Sequence, residues 1–128
     1  DPYGVLNSWN SSTHLCNWHG ITCSPMHQRV TELNLQGYGL HGTISPQVGN
    51  LSFLRYLILK NNSFYGTIPQ ELGHLFQLQG LGLSNNSLDG EFPTNLTSCS
   101  HLKFLSLYGN KLIGKIPVEI GSLQKLQV

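Results

Sequence analysis

Six histidines and six acidic residues are the side chains of this 128-residue chain that could support proton transfer or metal binding. Both kinds of chemistry require such groups to converge on one site. The histidines occupy six different positions of the 24-residue period described below, and no two carboxylates are predicted to share a face. We therefore predict no catalytic site and no metal site. The histidines are His14, His19, His27, His41, His74 and His101.

One glycine-rich motif matches the pattern of a phosphate-binding loop. The residues Gly37-x-Gly39-x-x-Gly42 fit G-x-G-x-x-G literally. Such a loop binds phosphate when it follows a strand and opens a helix within a βαβ unit. Here the motif lies between a strand and the return limb of a repeat, without a βαβ unit. We interpret it as a coincidence of the repeat and predict no cofactor site.

The three cysteines predict two different roles. Cys16 and Cys23 are separated by six residues, near two histidines, and two interpretations are open: a disulfide, as in secreted proteins, or a zinc site. Structural zinc favours cysteine pairs two to four residues apart, which counts against the metal. Cys99 falls in a repeat column otherwise filled by Leu51 and Leu75, so we expect a buried, unreactive thiol.

Composition limits the elements that could position any site. The chain has 22 leucines and no alanine, and charged residues make up 10% of it, against roughly a quarter in an average soluble domain. The residues that fill exposed helix positions are therefore scarce, which excludes a helical bundle or a coiled coil. A net charge of +1 argues against a nucleic-acid binder, which would carry a basic patch. No apolar run approaches the length that spans a membrane.

The leucines recur with a period of 24 residues. Glycines and the Ile-Pro columns keep the same register, with Ser45 in place of proline in the first unit and Phe92 in place of isoleucine in the third. Four units between residues 27 and 122 therefore follow the pattern L-x-x-L-x-x-L-x-L-x-x-N-x-L-x-G-x-I-P-x-x-L-G-x. A period held over four units indicates a solenoid, in which each unit is one coil and the stacking of coils makes the core. The leucine pairs that set the register are Leu33/Leu35, Leu57/Leu59, Leu81/Leu83 and Leu105/Leu107.

Each part of the unit predicts a local structure. The L-x-L pair predicts a short strand with two side chains directed inward. The Ile-Pro pair begins a return limb that is too short for a stable helix, so we expect a 3-10 turn there. The asparagines can hydrogen-bond backbone groups that a bend leaves unpaired, which predicts a structural ladder. Its members are Asn62, Asn86 and Asn110, and Tyr38 replaces asparagine in the first unit.

These motifs resemble one protein family. The sequence L-x-G-x-I-P in a 24-residue unit is similar to the plant-specific class of leucine-rich repeat. Residues 1–23, with Leu6-x-x-Trp9 and Cys16-Asn17-Trp18-x-Gly20-Ile21-Thr22-Cys23, resemble the N-terminal cap of plant leucine-rich-repeat receptor kinases. Segments 45–51 and 97–102 are most similar to the subfamily that contains immune receptors for bacterial patterns. The resemblance implies an α/β-type solenoid with short parallel strands on the concave face, 3-10 turns and loops on the return side, and little regular helix.

The resemblance also implies a division of the chain and a disulfide. Residues 1–26 correspond to a partial N-terminal cap, 27–122 to four repeats and 123–128 to the start of a fifth repeat. Within the cap, the family pattern favours a disulfide between Cys16 and Cys23 over a zinc site. Because the pattern of the fifth repeat is interrupted after Val128, we expect this chain to be a piece of a longer ectodomain.

Asparagine-rich turns also carry possible glycosylation sites. Five N-x-S/T sequons without a central proline fit a secreted glycoprotein. Asn61 and Asn85 occupy the same repeat column, next to the ladder, so glycans there would lie along one edge of the strand face. The candidate residues are Asn10, Asn50, Asn61, Asn85 and Asn95.

The outward positions of the predicted strands carry the candidate binding residues. Because the leucines point inward, aromatic and aliphatic side chains at the outward positions have no core to fill. They surround Gly80 and Gly82, which leave a shallow trough flanked by basic residues. Exposed aromatic and basic residues together are typical of binding hot spots, so we predict that the trough contacts a peptide or another ectodomain. The candidates are Arg55, Tyr56, Ile58, Lys60, Lys103, Phe104 and Tyr108.

The family resemblance implies a function in perception rather than catalysis. The chain would be part of the extracellular ligand-sensing domain of a plant transmembrane receptor-like serine/threonine kinase in immune or developmental signalling. Its partners would be a peptide or protein ligand, a co-receptor ectodomain, or both, and no nucleic acid. It would lie on the apoplastic side of the plasma membrane and be anchored only through a transmembrane helix beyond Val128. ATP and Mg²⁺ would belong to the downstream kinase domain, with no cofactor in this segment.

Three other protein classes share the same repeat. A short co-receptor with about five repeats is one, but segments 45–51 and 97–102 suit a long receptor better. The other two have no kinase: a secreted inhibitor of cell-wall-degrading enzymes, similar to polygalacturonase inhibitors, and a receptor-like protein. The sequence after Val128 distinguishes them, since a 20-residue apolar span followed by kinase motifs is expected only of the receptor kinase.

Overall fold

The computed structural model describes residues 20–24 and 29–114, and these form nine short strands and three 3-10 helices with no α-helix. The strands are β1 (Ile21–Cys23), β2 (Val30–Asn34), β3 (His41–Thr43), β4 (Tyr56–Ile58), β5 (Ser63–Thr67), β6 (Gly80–Gly82), β7 (Ser87–Glu91), β8 (Phe104–Ser106) and β9 (Lys111–Ile113). The 3-10 helices are η1 (Pro46–Asn50), η2 (Gln70–His74) and η3 (Thr94–Ser98).

The L-x-L pairs form one side of the solenoid. Strands β2, β4, β6 and β8 run parallel in a sheet of order β1-β2-β4-β6-β8. Paired residues are one full period apart, as in Leu57 with Leu81 and Leu81 with Leu105. The predicted solenoid with short parallel strands is therefore confirmed. We call the outward surface of this sheet the concave face.

Strand β1 lies in the segment predicted as the N-terminal cap and pairs differently from the strands of the repeats. It pairs antiparallel with β2, with Ile21 opposite Leu33. The six residues between the two strands are too few for the crossover that a parallel pair needs, so the chain turns back as a hairpin. The Ser24 amide donates to the Arg29 carbonyl at 2.8 Å and helps close this connection. The antiparallel strand covers the edge of β2, which would otherwise present unpaired backbone groups.

A second parallel sheet lies on the return side, where the sequence predicts only turns and loops. Its order is β3-β5-β7-β9. Paired residues are 22 positions apart, as in His41 with Ser63 and Asp89 with Lys111, so this sheet is staggered by two residues from the 24-residue period. Each of the first three strands contains a glycine with positive φ, which makes the sequence resemble a turn although the backbone pairs with its neighbours.

The 3-10 helices follow the prolines of the return limb, and this confirms the predicted 3-10 turns. Pro69 and Pro93 precede η2 and η3, and Pro46 is the first residue of η1. A fixed φ and a missing N–H suit proline to a helix start. Adjacent helices lie close together because glycines face the neighbouring backbone: a Cβ on Gly73 would lie 2.6 Å from the Asn95 carbonyl oxygen.

Stacked leucines and asparagines hold the coils together. Most of the described leucines of the repeat columns are buried in one continuous core, and Leu107 and Leu112 of the last described coil are partly buried against it. Each ladder asparagine bonds its own coil and the preceding one: the Asn86 Nδ2 donates to the Leu59 and Leu83 carbonyls at 3.0 and 3.1 Å, and its Oδ1 accepts from the Phe64 amide at 3.0 Å. Asn62 and Asn110 make the equivalent bonds.

Candidate binding surface on the concave face

Gly80 creates the first part of the trough because it carries no side chain. The register places Tyr56 and Phe104 on either side of it in strands β4 and β8. A Cβ on Gly80 would lie 2.8 Å from Cδ1 of Tyr56 and 3.9 Å from Cδ1 of Phe104. The two rings therefore lean over the glycine, and the backbone of β6 forms the floor between them. The Tyr56 hydroxyl donates to Oε1 of Gln79 at 3.1 Å, which fixes one ring.

Gly82 is covered by the side chain of Lys60. A Cβ on Gly82 would lie 2.8 Å from Cε of Lys60 and 3.2 Å from Cδ1 of Ile58. The lysine crosses the strand, and its Nζ lies 4.9 Å from the centre of the Phe104 ring. The apolar stem is thus packed against the backbone while the charge stays at the surface over an aromatic face.

The structure brings most of the predicted binding residues onto one surface. Tyr56 and Phe104 are 39% and 36% exposed, so each ring keeps a free face. Tyr108 is 66% exposed in the same repeat column as Lys60. Arg55 and Lys103 are exposed and precede Tyr56 and Phe104 in the chain, and Arg55 lines a pocket outside the trough. We call the surface formed by Tyr56, Ile58, Lys60, Phe104 and Tyr108 around Gly80 and Gly82 the aromatic trough.

Two buried serines in the trough are absent from the sequence prediction. Ser106 pairs with Gly82, and Ser84 lies in the column of Lys60 and Tyr108. Both hydroxyls are buried and have no hydrogen-bond partner among the residues that the structure describes. A buried polar group without a partner costs free energy, so these hydroxyls are unused donors on the face proposed to bind. Small polar residues at outward strand positions beside larger neighbours are the signal that could have revealed them.

The sequon asparagines lie on different parts of the surface. Asn50 and Asn95 are exposed on η1 and η3. Asn61 and Asn85 are exposed with φ of 57° and 58°, and the Asn85 Nδ2 donates to Oδ1 of Asn61 at 2.8 Å. Asn10 lies outside the described residues. The use of any sequon for glycosylation stays a prediction.

The described cysteines differ in chemical state. Cys23 is disulfide-bonded; its predicted partner Cys16 lies outside the described residues, so the pairing stays a prediction. Cys99 is a free, fully buried thiol, and burial raises its pKa to about 11. Its Sγ donates to the Leu72 carbonyl at 3.6 Å. Such a thiol is protonated at neutral pH and packs as a small apolar side chain.

The histidines that the structure describes do not converge. His41, His74 and His101 are exposed on β3, η2 and the turn before β8, while His14, His19 and His27 lie outside the described residues. Within residues 20–24 and 29–114, no three His, Cys, Asp or Glu side chains are grouped as metal ligands. In the same part of the chain, no helix is long and apolar enough to cross a membrane.

Comparison with known proteins identifies the same architecture. The family model described as Leucine Rich Repeat matches residues 53–75, 77–99 and 101–123, which is more than half of the chain. The model described as Leucine rich repeat N-terminal domain matches residues 1–24.

A curated relative and two solved structures illustrate the similarity. The LRR receptor-like serine/threonine-protein kinase EFR of Arabidopsis thaliana is 58% identical over 60 residues, which cover 47% of this chain and 6% of that kinase. This chain therefore spans a small part of that relative. The BIR2 ectodomain from Arabidopsis thaliana superposes with a TM-score of 0.84 at 40% identity, over 98% of this chain and 69% of that one. The plant peptide hormone receptor RGFR1 in complex with RGF2 superposes with a TM-score of 0.73 at 35% identity, over 88% and 21%.

Proposed function

Because this chain belongs to the leucine-rich-repeat family, in the form found in plant receptor ectodomains, we propose that it is part of the ligand-sensing extracellular domain of a transmembrane receptor-like serine/threonine kinase. In this proposal the chain lies on the apoplastic side of the plasma membrane, and its sequon asparagines carry glycans. The chain performs no catalysis itself and acts by binding a partner. The kinase and its ATP and Mg²⁺ belong to segments beyond Val128.

The aromatic trough is the observation that carries this proposal. Tyr56 and Phe104 present apolar area, and both are held in place, one by its hydroxyl bond and the other by the Lys60 ammonium. Rigid aromatic side chains contribute to affinity because they lose little conformational entropy on binding. The trough is shallow and follows the strands, so it suits an extended peptide or the flat surface of a second ectodomain better than a small molecule.

The buried serines add hydrogen-bonding capacity to the trough. The stem of Lys60 lies across Gly82, next to Ser106 in the strand register. If Lys60 turned toward a bound partner, the hydroxyls of Ser84 and Ser106 could donate to backbone carbonyls of that partner. This contact would satisfy two hydroxyls that have no hydrogen-bond partner in the described part of the chain.

A binding experiment with matched aromatic variants tests the proposed function. The intact protein is immobilised and screened against synthetic secreted plant peptides and plant receptor ectodomains. For a partner that binds, we expect the double variant Tyr56→Ala/Phe104→Ala to weaken affinity at least about thirtyfold, the effect of losing a hot spot. The matched control is Tyr65→Ala/Phe76→Ala, which removes two exposed rings from other surfaces. Unchanged affinity in the first double variant would reject the trough as the binding surface.

The transcript beyond Val128 tests the receptor-kinase part of the proposal. We expect an apolar span of about 20 residues followed by kinase motifs. A stop codon after further repeats, without such a span, would instead identify a secreted protein of the inhibitor type. Trough variants affect partner binding in either case, so the two tests are independent.

A further inference from the structure

Arg29 and Arg55 line a second site outside the aromatic trough, although the sequence predicts Arg55 among the binding residues that flank the trough. They border a pocket of about 420 Å³ at the edge where strands β2 and β4 begin. The remaining lining residues are Ser24, Thr31, Phe53 and Gln77. No residue of the trough takes part in this pocket.

The repeat register explains why these residues meet. Arg29, Phe53 and Gln77 are spaced by one period, so they stack along one column of adjacent coils. The Arg29 guanidinium lies 4.8 Å from the centre of the Phe53 ring, which holds the arginine at the pocket wall. Arg55 belongs to the column of Thr31, and its amide donates to the Thr31 carbonyl at 2.7 Å. Two neighbouring columns therefore place two arginines around one cavity.

No described residue neutralises the positive charge of this pocket. None of the six lining residues that the structure describes is acidic. Among residues 20–24 and 29–114, neither arginine forms an ion pair, and the side chain of Gln77 makes no hydrogen bond. The hydroxyl of Thr31 already donates to the Thr22 carbonyl, and that of Ser24 accepts from the Arg29 amide, so these two groups shape the wall. Within the described part of the chain, the two guanidinium groups and the Gln77 amide therefore have no polar partner that would compete with a ligand.

We infer that this pocket binds a carboxylate group of a peptide or protein partner. A guanidinium presents paired N–H donors that match a carboxylate, and two of them around one cavity favour an anion over a neutral group. Phe53 is 40% exposed beside them, so an apolar side chain next to the carboxylate can pack on its ring. The carboxylate belongs either to an acidic side chain or to the C-terminus of the partner. This inference rests on the proposed function only in taking the partner to be a peptide or protein.

Small defined probes can test the pocket before the natural partner is known. Saturation-transfer NMR on the intact protein measures the binding of N-acetyl-aspartyl-phenylalanine amide, which has an acidic side chain, and of N-acetyl-glycyl-phenylalanine, which has a free C-terminus. The neutral controls are N-acetyl-asparaginyl-phenylalanine amide and N-acetyl-glycyl-phenylalanine amide. Trigalacturonate serves as an acidic carbohydrate probe. The protein variants are Arg29→Gln, Arg55→Gln and Lys103→Gln.

Lys103→Gln is the matched control for charge. Lys103 shares the repeat column of Arg55, and its amide donates to the Gln79 carbonyl as that of Arg55 does to Thr31, but it does not line the pocket. We expect at least one carboxylate probe to bind about tenfold more tightly than its neutral control. The variant Arg29→Gln or Arg55→Gln should lower the affinity for that probe about tenfold. Lys103→Gln should change it less than about twofold, because exposed charges outside the pocket are screened.

Three results would overturn the inference. One is equal binding of the acidic and neutral probes. The second is an equal loss in Lys103→Gln and Arg55→Gln, which would indicate general charge attraction. The third is tighter, Arg55-dependent binding of trigalacturonate than of either peptide probe, which would make the ligand a polysaccharide. The variant Tyr56→Ala/Phe104→Ala should keep probe binding, so failure of the pocket and failure of the trough are distinguishable.

Discussion

At the residue scale, each ladder asparagine holds together two coils through one amide group. The Asn86 side chain accepts from one amide and donates to three carbonyls, of which the third is that of Ser84 at 3.3 Å. Two of these four backbone groups belong to the preceding coil. The sequence predicts the ladder because the column is regular, and the structure shows that the side chain links neighbouring coils as well as its own turn.

Replacing Asn86 with alanine should destabilise the protein strongly. We expect Asn86→Ala to lower the free energy of unfolding by about 3 kcal/mol, since several part-buried backbone groups lose their partner at once. The adjacent Asn85→Gly is the control: glycine occupies the same column at Gly37 and Gly109, also with positive φ. In urea denaturation, Asn85→Gly should lower the free energy of unfolding by less than about 1 kcal/mol. Equal losses in the two variants would contradict the ladder.

For the trough residues, the sequence predicts which side chains face outward from the strands but not the conformations of those side chains. Alternation along the strands indicates that Tyr56 and Phe104 face outward, and the register places both beside Gly80. Alternation does not specify side-chain conformation, so the diagonal path of Lys60 over Gly82 to Phe104 could not be read from the sequence. The burial of the serine hydroxyls depends on these neighbouring side chains for the same reason.

At the element scale, the sequence predicts the concave sheet and the 3-10 helices but does not predict the second sheet. Leucine alternation and proline positions are local signals with known backbone consequences. The strands of the second sheet surround glycines with positive φ, such as Gly66 at 81°. Their hydrogen bonds come from coils 22 residues away, with a stagger that the 24-residue period does not contain. Pairing between distant segments thus overrode a local pattern that resembles a turn.

The close packing of adjacent 3-10 helices can be tested by substituting the glycine at their contact. Gly73→Ala should lower the free energy of unfolding by about 2 kcal/mol, because its Cβ would press on the backbone of Asn95 in η3. Gly39→Ala is the control, since Gly39 has positive φ but nothing within 4 Å of the added Cβ. Gly39→Ala should lower the free energy of unfolding by about 1 kcal/mol, because it adds backbone strain without a steric clash. Denaturation curves in which Gly39→Ala is the more damaging change would contradict this account of the packing.

At the scale of the whole molecule, stacking distributes the charges unequally as well as building the core. The concave face or its edge carries four described basic residues, Arg29, Arg55, Lys60 and Lys103, and the acidic Glu32 on β2. The return side carries Glu71, Asp89 and Glu91 on η2 and β7, and the basic Lys111 on β9. Because every coil repeats the same path, one charge at a given column is always presented on the same side. The described part of the solenoid therefore offers a basic, aromatic surface to a partner, opposite a more acidic one.

Photo-crosslinking from two matched tyrosines tests the central claim that the concave face meets the partner. Tyr108 on that face is 66% exposed, and Tyr65 on the return side is 54% exposed. Each is replaced in turn by the photoreactive p-benzoyl-phenylalanine in the intact protein, which is irradiated in plant cells treated with the bound peptide or co-expressing the bound ectodomain. We predict a cross-link to that partner from position 108 and none from position 65. A cross-link from position 65 alone would show that the return side binds, and would contradict the account.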